Sequence, residues 1–383
     1  MTFKAAVLSI DGGGIKGIVP AIILAEIEYR TGKCIHELFD LIAGTSTGGI
    51  LALGLTVAIS DEDKRPKFTS AQLVNLYKEE GKIIFQRRQE EKQDLFKEMK
   101  KAGFNVALSK IAPNITNPED LFNPKYTRKG KQDVIKKFFG DTFMEKALTE
   151  VVITSYSTSL RLPFLFTSYL RKEQESKQGN FRIVCEGYRM EQAAMATSAA
   201  PTYFRPYVIP ALNRSDSDYT LVDGGVIANN PTSIAIIEVM NSYRMRTGEN
   251  LNLNDILVVS LGTGVRSRKL ELKEIENWGQ LKWVEPLINI TLSGQSEIVD
   301  YQMEQLLSVK NAQNRQYYRF QPNFPDIQTT GTQDKYIVND AMDDTTESNI
   351  SSLEKVTDDF ISRKNSSLNQ LCDSLIKLLP ARK

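Results

Sequence analysis

Two glycine-rich turns in the first 60 residues constrain the fold more than any other feature of this chain. Ala5 to Ile10 is a short, mainly apolar run that ends in Asp11-Gly-Gly-Gly14, and Ile15 to Tyr29 then repeats apolar residues at helical spacing. Phe39 to Ala43 is a second such run. It ends in Gly44-Thr-Ser-Thr-Gly-Gly49, and Ser46 to Ile59 reads as a second buried helix. Continuous apolar strands are those covered on both faces, and strands that alternate with helices lie parallel. Strand, glycine turn and helix, twice over, therefore predict an α/β fold with a mostly parallel sheet.

Further along, Val151 to Thr154, Leu162 to Ser168 and Ile256 to Leu261 are expected as strands, the last leading into Gly262-Thr-Gly264. Leu221-Val222 leads into Asp223-Gly-Gly225, and Asn230-Pro231 stands where a helix cap and a first-turn proline belong. The more polar stretch from about 60 to 131 is expected as an insertion in a core of residues 1–265. It holds the mixed-charge run Gln86 to Asp94 and reads either as a solvated segment or as a lid. Residues 266–383 are expected as a mainly helical region packed on that core, with helices over Leu281 to Val309 and Leu353 to Leu379.

Composition excludes several classes. Forty-eight Lys and Arg face 47 Asp and Glu, so nothing calls for a nucleic-acid polymer. Three distant cysteines, Cys34, Cys185 and Cys372, give neither a disulfide framework nor metal spacing, and a reducing compartment suits them. No metal or cofactor is implied. The first residues lack the pattern of a secretory signal, so a cytoplasmic location is expected, with peripheral membrane contact as an option. Leu41 to Ser60 carries no charge over a span-like length, but the glycine turn inside it favours strand, turn and helix over a membrane span.

Gly44-Thr-Ser46-Thr-Gly48 fits a nucleophile elbow, the strand-to-helix turn that lifts a serine above the sheet edge at a helix N-terminus. The alternative is a glycine turn that binds a phosphate. A serine nucleophile needs a base. The only histidine, His36, precedes the strand that feeds Ser46, roughly 15–20 Å from the strand's carboxyl end. Either Ser46 is not a nucleophile or a carboxylate serves as its base, and Asp223, at the end of another strand, is the candidate. An ordinary aspartate is a weak base, with a pKa of about 3.9, so burial would have to raise it. Taken alone, Asp223 could equally be a turn residue. The loop at Gly12, Gly13 and Gly14 can bring backbone N–H groups onto one anion, either an oxyanion or a dinucleotide phosphate. Lys16 either supports that loop through an acidic partner, meets a lipid phosphate, or is solvated.

These blocks, with Thr197-Ser-Ala-Ala-Pro-Thr-Tyr-Phe204, Asn229-Asn-Pro231 and Ser260-Leu-Gly-Thr-Gly264, resemble the patatin-like phospholipases over roughly residues 5 to 265. The resemblance implies three layers around a mostly parallel sheet and a catalytic dyad of Ser46 and Asp223. It also implies an oxyanion hole at Gly12, Gly13 and Gly14, and calcium-independent hydrolysis of membrane phospholipid or galactolipid acyl esters. Some bacterial members that this chain is similar to act in anti-phage defence, switched on by a cyclic nucleotide. A cyclic-nucleotide activator, met by the basic stretch Lys125 to Lys131, is therefore one expectation, and a solvated face is the plainer one. Homo-oligomerisation is left open. Rival activities are an esterase or thioesterase on soluble acyl substrates, and a non-catalytic phosphate binder.

Overall fold

The computed structural model describes residues 3–87, 123–169, 174–175, 181–212, 218–266, 270–307, 315–324 and 337–379. Its centre is a sheet of ten strands among these residues. The strands are β1 (Ala5–Ile10), β2 (Leu41–Gly44), β3 (Glu150–Ser157), β4 (Leu162–Thr167), β5 (Gln174–Glu175), β6 (Arg182–Val184), β7 (Tyr207–Pro210), β8 (Asp218–Asp223), β9 (Ile256–Leu261) and β11 (Tyr317–Phe320). Their order is β11-β9-β1-β2-β3-β4-β6-β5, with β8 and then β7 on the far half of the β3 edge. Pairing from β11 through β3 is parallel throughout. A two-residue pair, β10 (Val265–Arg266) and β12 (Asn323–Phe324), stands apart.

The strands divide the interior in two because successive side chains point to opposite faces. Ala6, Leu8 and Ile10 of β1 join one apolar cluster, and Ala5 and Val7 join the other. Burying each large aliphatic side chain contributes about 1.5–3 kcal/mol, so these two faces fix the register of the strand. The first cluster holds α1 (Ile18–Thr31), α2 (Thr47–Gly54), α3 (Arg128–Phe139) and α4 (Met190–Thr197). The second holds α5 (Thr232–Thr247) and the inner face of α6 (Gln280–Leu306). Two C-terminal helices, α7 (Glu347–Arg363) and α8 (Asn365–Leu378), pack beside α1 through Leu353, Phe360, Leu371 and Leu375. The molecule is thus a three-layer α/β sandwich with a mostly parallel sheet and C-terminal helices.

Three local differences from the sequence reading have physical causes. The helix after Ser46 ends at Gly54, where the Thr56 hydroxyl bonds back to the Ala52 and Leu53 carbonyls, and the chain then turns through Val57. No long apolar span exists over 41–60, and among the described residues no helix is long and apolar enough to cross a membrane. Residues 70–84 are not a solvated insertion, for Leu73, Leu76 and Tyr77 are buried against the core. Residues 88–122, with most of the mixed-charge run, lie outside the described residues. Beyond 265 the chain is not only helical: β11 becomes the edge strand of the sheet, beside β9.

Candidate active site

The site arises from how β3 is shared. Residues 150–153 pair with β2 in parallel, and residues 155–157 pair with β8, which runs the opposite way. β2 therefore ends at Gly44 opposite Ile153, and β8 ends at Asp223 opposite Ser155. The carboxyl ends of two strands meet head-on across Thr154. The Thr45 hydroxyl seals this junction, 2.7 Å from the Thr154 hydroxyl and 2.6 Å from the Ala228 carbonyl that accepts its proton.

Ser46 follows at once. Its backbone lies at φ 54° and ψ −119°, a region that L-residues rarely occupy and that costs on the order of 1–3 kcal/mol. The surroundings enforce it. A methyl group at Gly48 would run into the Ile10 carbonyl oxygen, and one at Gly44 into the Gly48 backbone, so only glycine fits both positions. Over residues 41–57, Ser46 alone is not buried. Its N–H donates to the Thr197 hydroxyl at 2.8 Å, and it opens α2, whose N-terminal dipole favours negative charge at this point.

The Ser46 hydroxyl donates to Asp223 Oδ2 at 2.7 Å. Asp223 Oδ1 accepts the Gly225 N–H, also at 2.7 Å, so both carboxylate oxygens are engaged and oriented. Asp223 is only 5% exposed. Burial pushes its carboxyl up to about 6, against the opposing pull of the Gly225 N–H, the Ser46 hydroxyl and the Lys131 charge. The structure thus brings these two side chains together, and burial supplies the proton affinity that an exposed aspartate lacks.

The glycine loop crosses directly beside the serine: a methyl at Gly12 would stand 3.3 Å from Ser46 Cβ. Of its three glycines, Gly12 donates its N–H to the Asn229 carbonyl at 3.1 Å and is not available to an anion. That corrects the expectation of three donors. Gly13 and Gly14 keep N–H groups with no protein acceptor among the described residues. Gly14 sits at φ +61° under the Met342 carbonyl, which itself accepts the Ile15 N–H at 2.8 Å. Lys16 is half-buried. Burial lowers the affinity of its amine for a proton, and Asp340 acts the other way, which makes Asp340 the acidic partner nearby.

Two features of the site lie outside what sequence reasoning found. Asp11 makes a bidentate ion pair with Arg319 of β11, at 2.6 and 2.9 Å, with both side chains nearly fully buried. Burial opposes the charge on Arg319, but the Asp11 carboxylate holds it charged, above the usual arginine value. The stem of the glycine loop is thereby tied to the edge strand. Second, the basic stretch at 125–131 is divided: Arg128 and Lys129 are exposed, as a solvated face would be, while Lys125 is half-buried and Lys131 is buried. Lys125 and Tyr126 bond Asp343, Arg128 reaches the Pro206 carbonyl, and Lys131 is 2% exposed. The lysine signal alone, in a mixed polar stretch, could not reveal this. His36 stands before the start of β2, in a shallow cavity with Glu37, Asp40, Glu145 and Glu150, away from the Ser46 end of the strand.

Residues 8–236, more than half of the chain, match the patatin-like phospholipase family. The chain is similar to patatin-like protein 2 of Arabidopsis thaliana, at 33% identity over 317 residues, 78% of this chain and 70% of that protein. It is also similar to a protein named probable inactive patatin-3-Kuras 1 of Solanum tuberosum, at 32% identity, with 83% and 78% covered. Among solved structures it is similar to VipD from Legionella pneumophila, at 13% identity and a TM-score of 0.32, covering 94% of this chain and 67% of that one. On the extent of the family match and the identity to these plant proteins, the chain belongs to the patatin-like phospholipase family.

Proposed function

We propose that this protein hydrolyses fatty-acyl esters of membrane phospholipids, as a phospholipase A, with Ser46 as nucleophile and Asp223 as its base. The observation that carries this reading is the 2.7 Å bond from a strained, accessible serine hydroxyl to a buried carboxylate raised to about 6. A base of that strength is largely ionised at neutral pH yet retains real affinity for a proton. As Ser46 Oγ attacks the acyl carbonyl, its proton passes to Asp223 Oδ2. The Gly13 and Gly14 N–H groups, with the α2 N-terminus, stabilise the oxyanion. The intermediate collapses to an acyl-serine, and the departing lysolipid oxygen takes the proton from Asp223. A water then gives a proton to Asp223 and attacks the acyl carbonyl. The fatty acid leaves, and the proton returns to Ser46.

The family supports lipid as the substrate class, and membrane phospholipid implies contact with a bilayer surface. The test is fatty-acid release from phosphatidylcholine vesicles, with p-nitrophenyl butyrate in parallel. Wild-type protein is expected to act on vesicles, with Ser46→Ala and Asp223→Asn each at least about 10³-fold slower. A folded Asp223→Asn protein at wild-type rate removes the dyad. Activity confined to the short ester points to a soluble acyl substrate.

A further inference from the structure

We infer that Lys131 is a positioning residue of this site: a buried ammonium, stapled to the turn at Ser198, that holds Asp223 in its anionic, proton-accepting form. The inference rests on Asp223 being the base. Lysine is among the residues least often fully buried, and a buried one needs partners for its donors. Lys131, from the first turn of α3, donates to the Ser198 carbonyl at 2.8 Å and to the Ser198 hydroxyl at 3.2 Å. Its Nζ also stands 3.9 Å from the centre of the Phe204 ring. These three partners are all neutral. Of the charged groups among the described residues that act on it, Arg128 on its own helix repels it, and the Asp223 carboxylate attracts it.

Lys131 does not compete with Ser46, because its hydrogen bonds go to Ser198, while Ser46 and Gly225 donate to the two Asp223 oxygens. It acts through its field and through the chain. The segment it grips also carries the rest of the pair. Thr197 accepts the Ser46 N–H through its hydroxyl and the Gly224 N–H through its carbonyl, at 2.8 and 3.3 Å, and the Ala199 carbonyl accepts the Asp223 N–H at 3.0 Å. One lysine thus grips the turn that aligns nucleophile and base, and its charge acts on the base, lowering the proton affinity of Asp223. Burial pulls its own proton affinity down to about 7, and the Asp223 carboxylate acts the other way, favouring the ammonium. A plain core lysine would account for the burial, but not for its grip on the turn that also bonds the backbone of Ser46, Asp223 and Gly224.

The test compares pH profiles of kcat/KM for wild type, Lys131→Gln, Lys131→Arg and Ser198→Ala, each checked for folding by thermal unfolding and near-ultraviolet circular dichroism. Gln keeps a donor for Ser198 and removes the charge. Its acidic limb is expected to move up by at least about 0.5 pH unit, because Asp223 loses an opposite charge. Arg keeps the charge, and its limb is expected at or below that of wild type. Ser198→Ala keeps the ammonium, and its limb is expected unmoved. A folded Lys131→Gln protein that is uniformly slower, with the limb in place, overturns the inference. Where Lys131→Gln does not fold, an upward shift in Lys131→Arg overturns it, and a limb at or below that of wild type supports it. Ser46→Ala separates the failures: activity retained in that variant removes the reading of the site, while an inactive Ser46→Ala beside an unmoved limb removes only the role of Lys131.

Discussion

Replacing Asp223 by Asn should abolish activity and at the same time stabilise the protein at neutral pH. The carboxyl rises from an ordinary 3.8 to about 6 because it is buried. A group bound to its proton more tightly in the folded state favours folding fully below its unfolded value, and that contribution is lost as pH climbs through the folded value. A shift near two units corresponds to about 3 kcal/mol of stability that wild type forgoes above pH 7, roughly half of it between pH 5 and 7.5. Asparagine has nearly the same shape, can still accept the Gly225 N–H, and has no charge to bury. Lys131 loses its counter-charge in the variant only at pH values where Asp223 is ionised in wild type, and the gain is trimmed there rather than at low pH. Urea midpoints for wild type and Asp223→Asn from pH 5 to 8 measure this directly. The expected outcome is a variant whose advantage grows with pH to between 1 and about 3 kcal/mol. A variant no more stable than wild type at pH 7.5, or an advantage that widens toward pH 5, refutes the reasoning that burial raises this carboxyl.

Arg319→Leu leaves the Asp11 carboxylate buried without its partner and is expected to cost about 3–5 kcal/mol in urea unfolding. Adding Asp11→Asn to it should recover much of that loss. Gly48→Ala drives a methyl into the Ile10 carbonyl and is expected to cost about 1–3 kcal/mol and to abolish fluorophosphonate labelling of Ser46. Gly279→Ala, where a methyl meets open space, should stay within about 0.5 kcal/mol of wild type.

The strands buried on both faces were the most legible part of the fold. Ala5–Ile10 and Ile256–Leu261 match their apolar runs end to end, because parallel strands between helix layers need apolar residues on both sides. The serine turn and the aspartate turn were legible as glycine motifs, but their meeting was not. β8 reaches Asp223 antiparallel to β3, and its pairing partner lies more than 60 residues earlier. β11 escaped notice because it is four residues long with a charge inside it, Tyr-Tyr-Arg-Phe, and that charge is paired with Asp11, 308 positions away. The C-terminal apolar spacing over 353–379 gave helix correctly and missed the break at Lys364, since both halves keep the same face against α1. Lys131 read as a solvated lysine because its partners, Ser198 and Phe204, come from another element of the fold.

The pairing of Asp11 with Arg319, and the seat that Met342 gives to Ile15, have a consequence for biosynthesis. As the chain leaves the ribosome, serine, aspartate and glycine loop all emerge well before the two braces that hold the loop. A nascent or prematurely ended polypeptide therefore carries every reactive group and lacks the frame that sets them. The proposed dyad gains its full support only once Arg319 and Met342 have joined the fold.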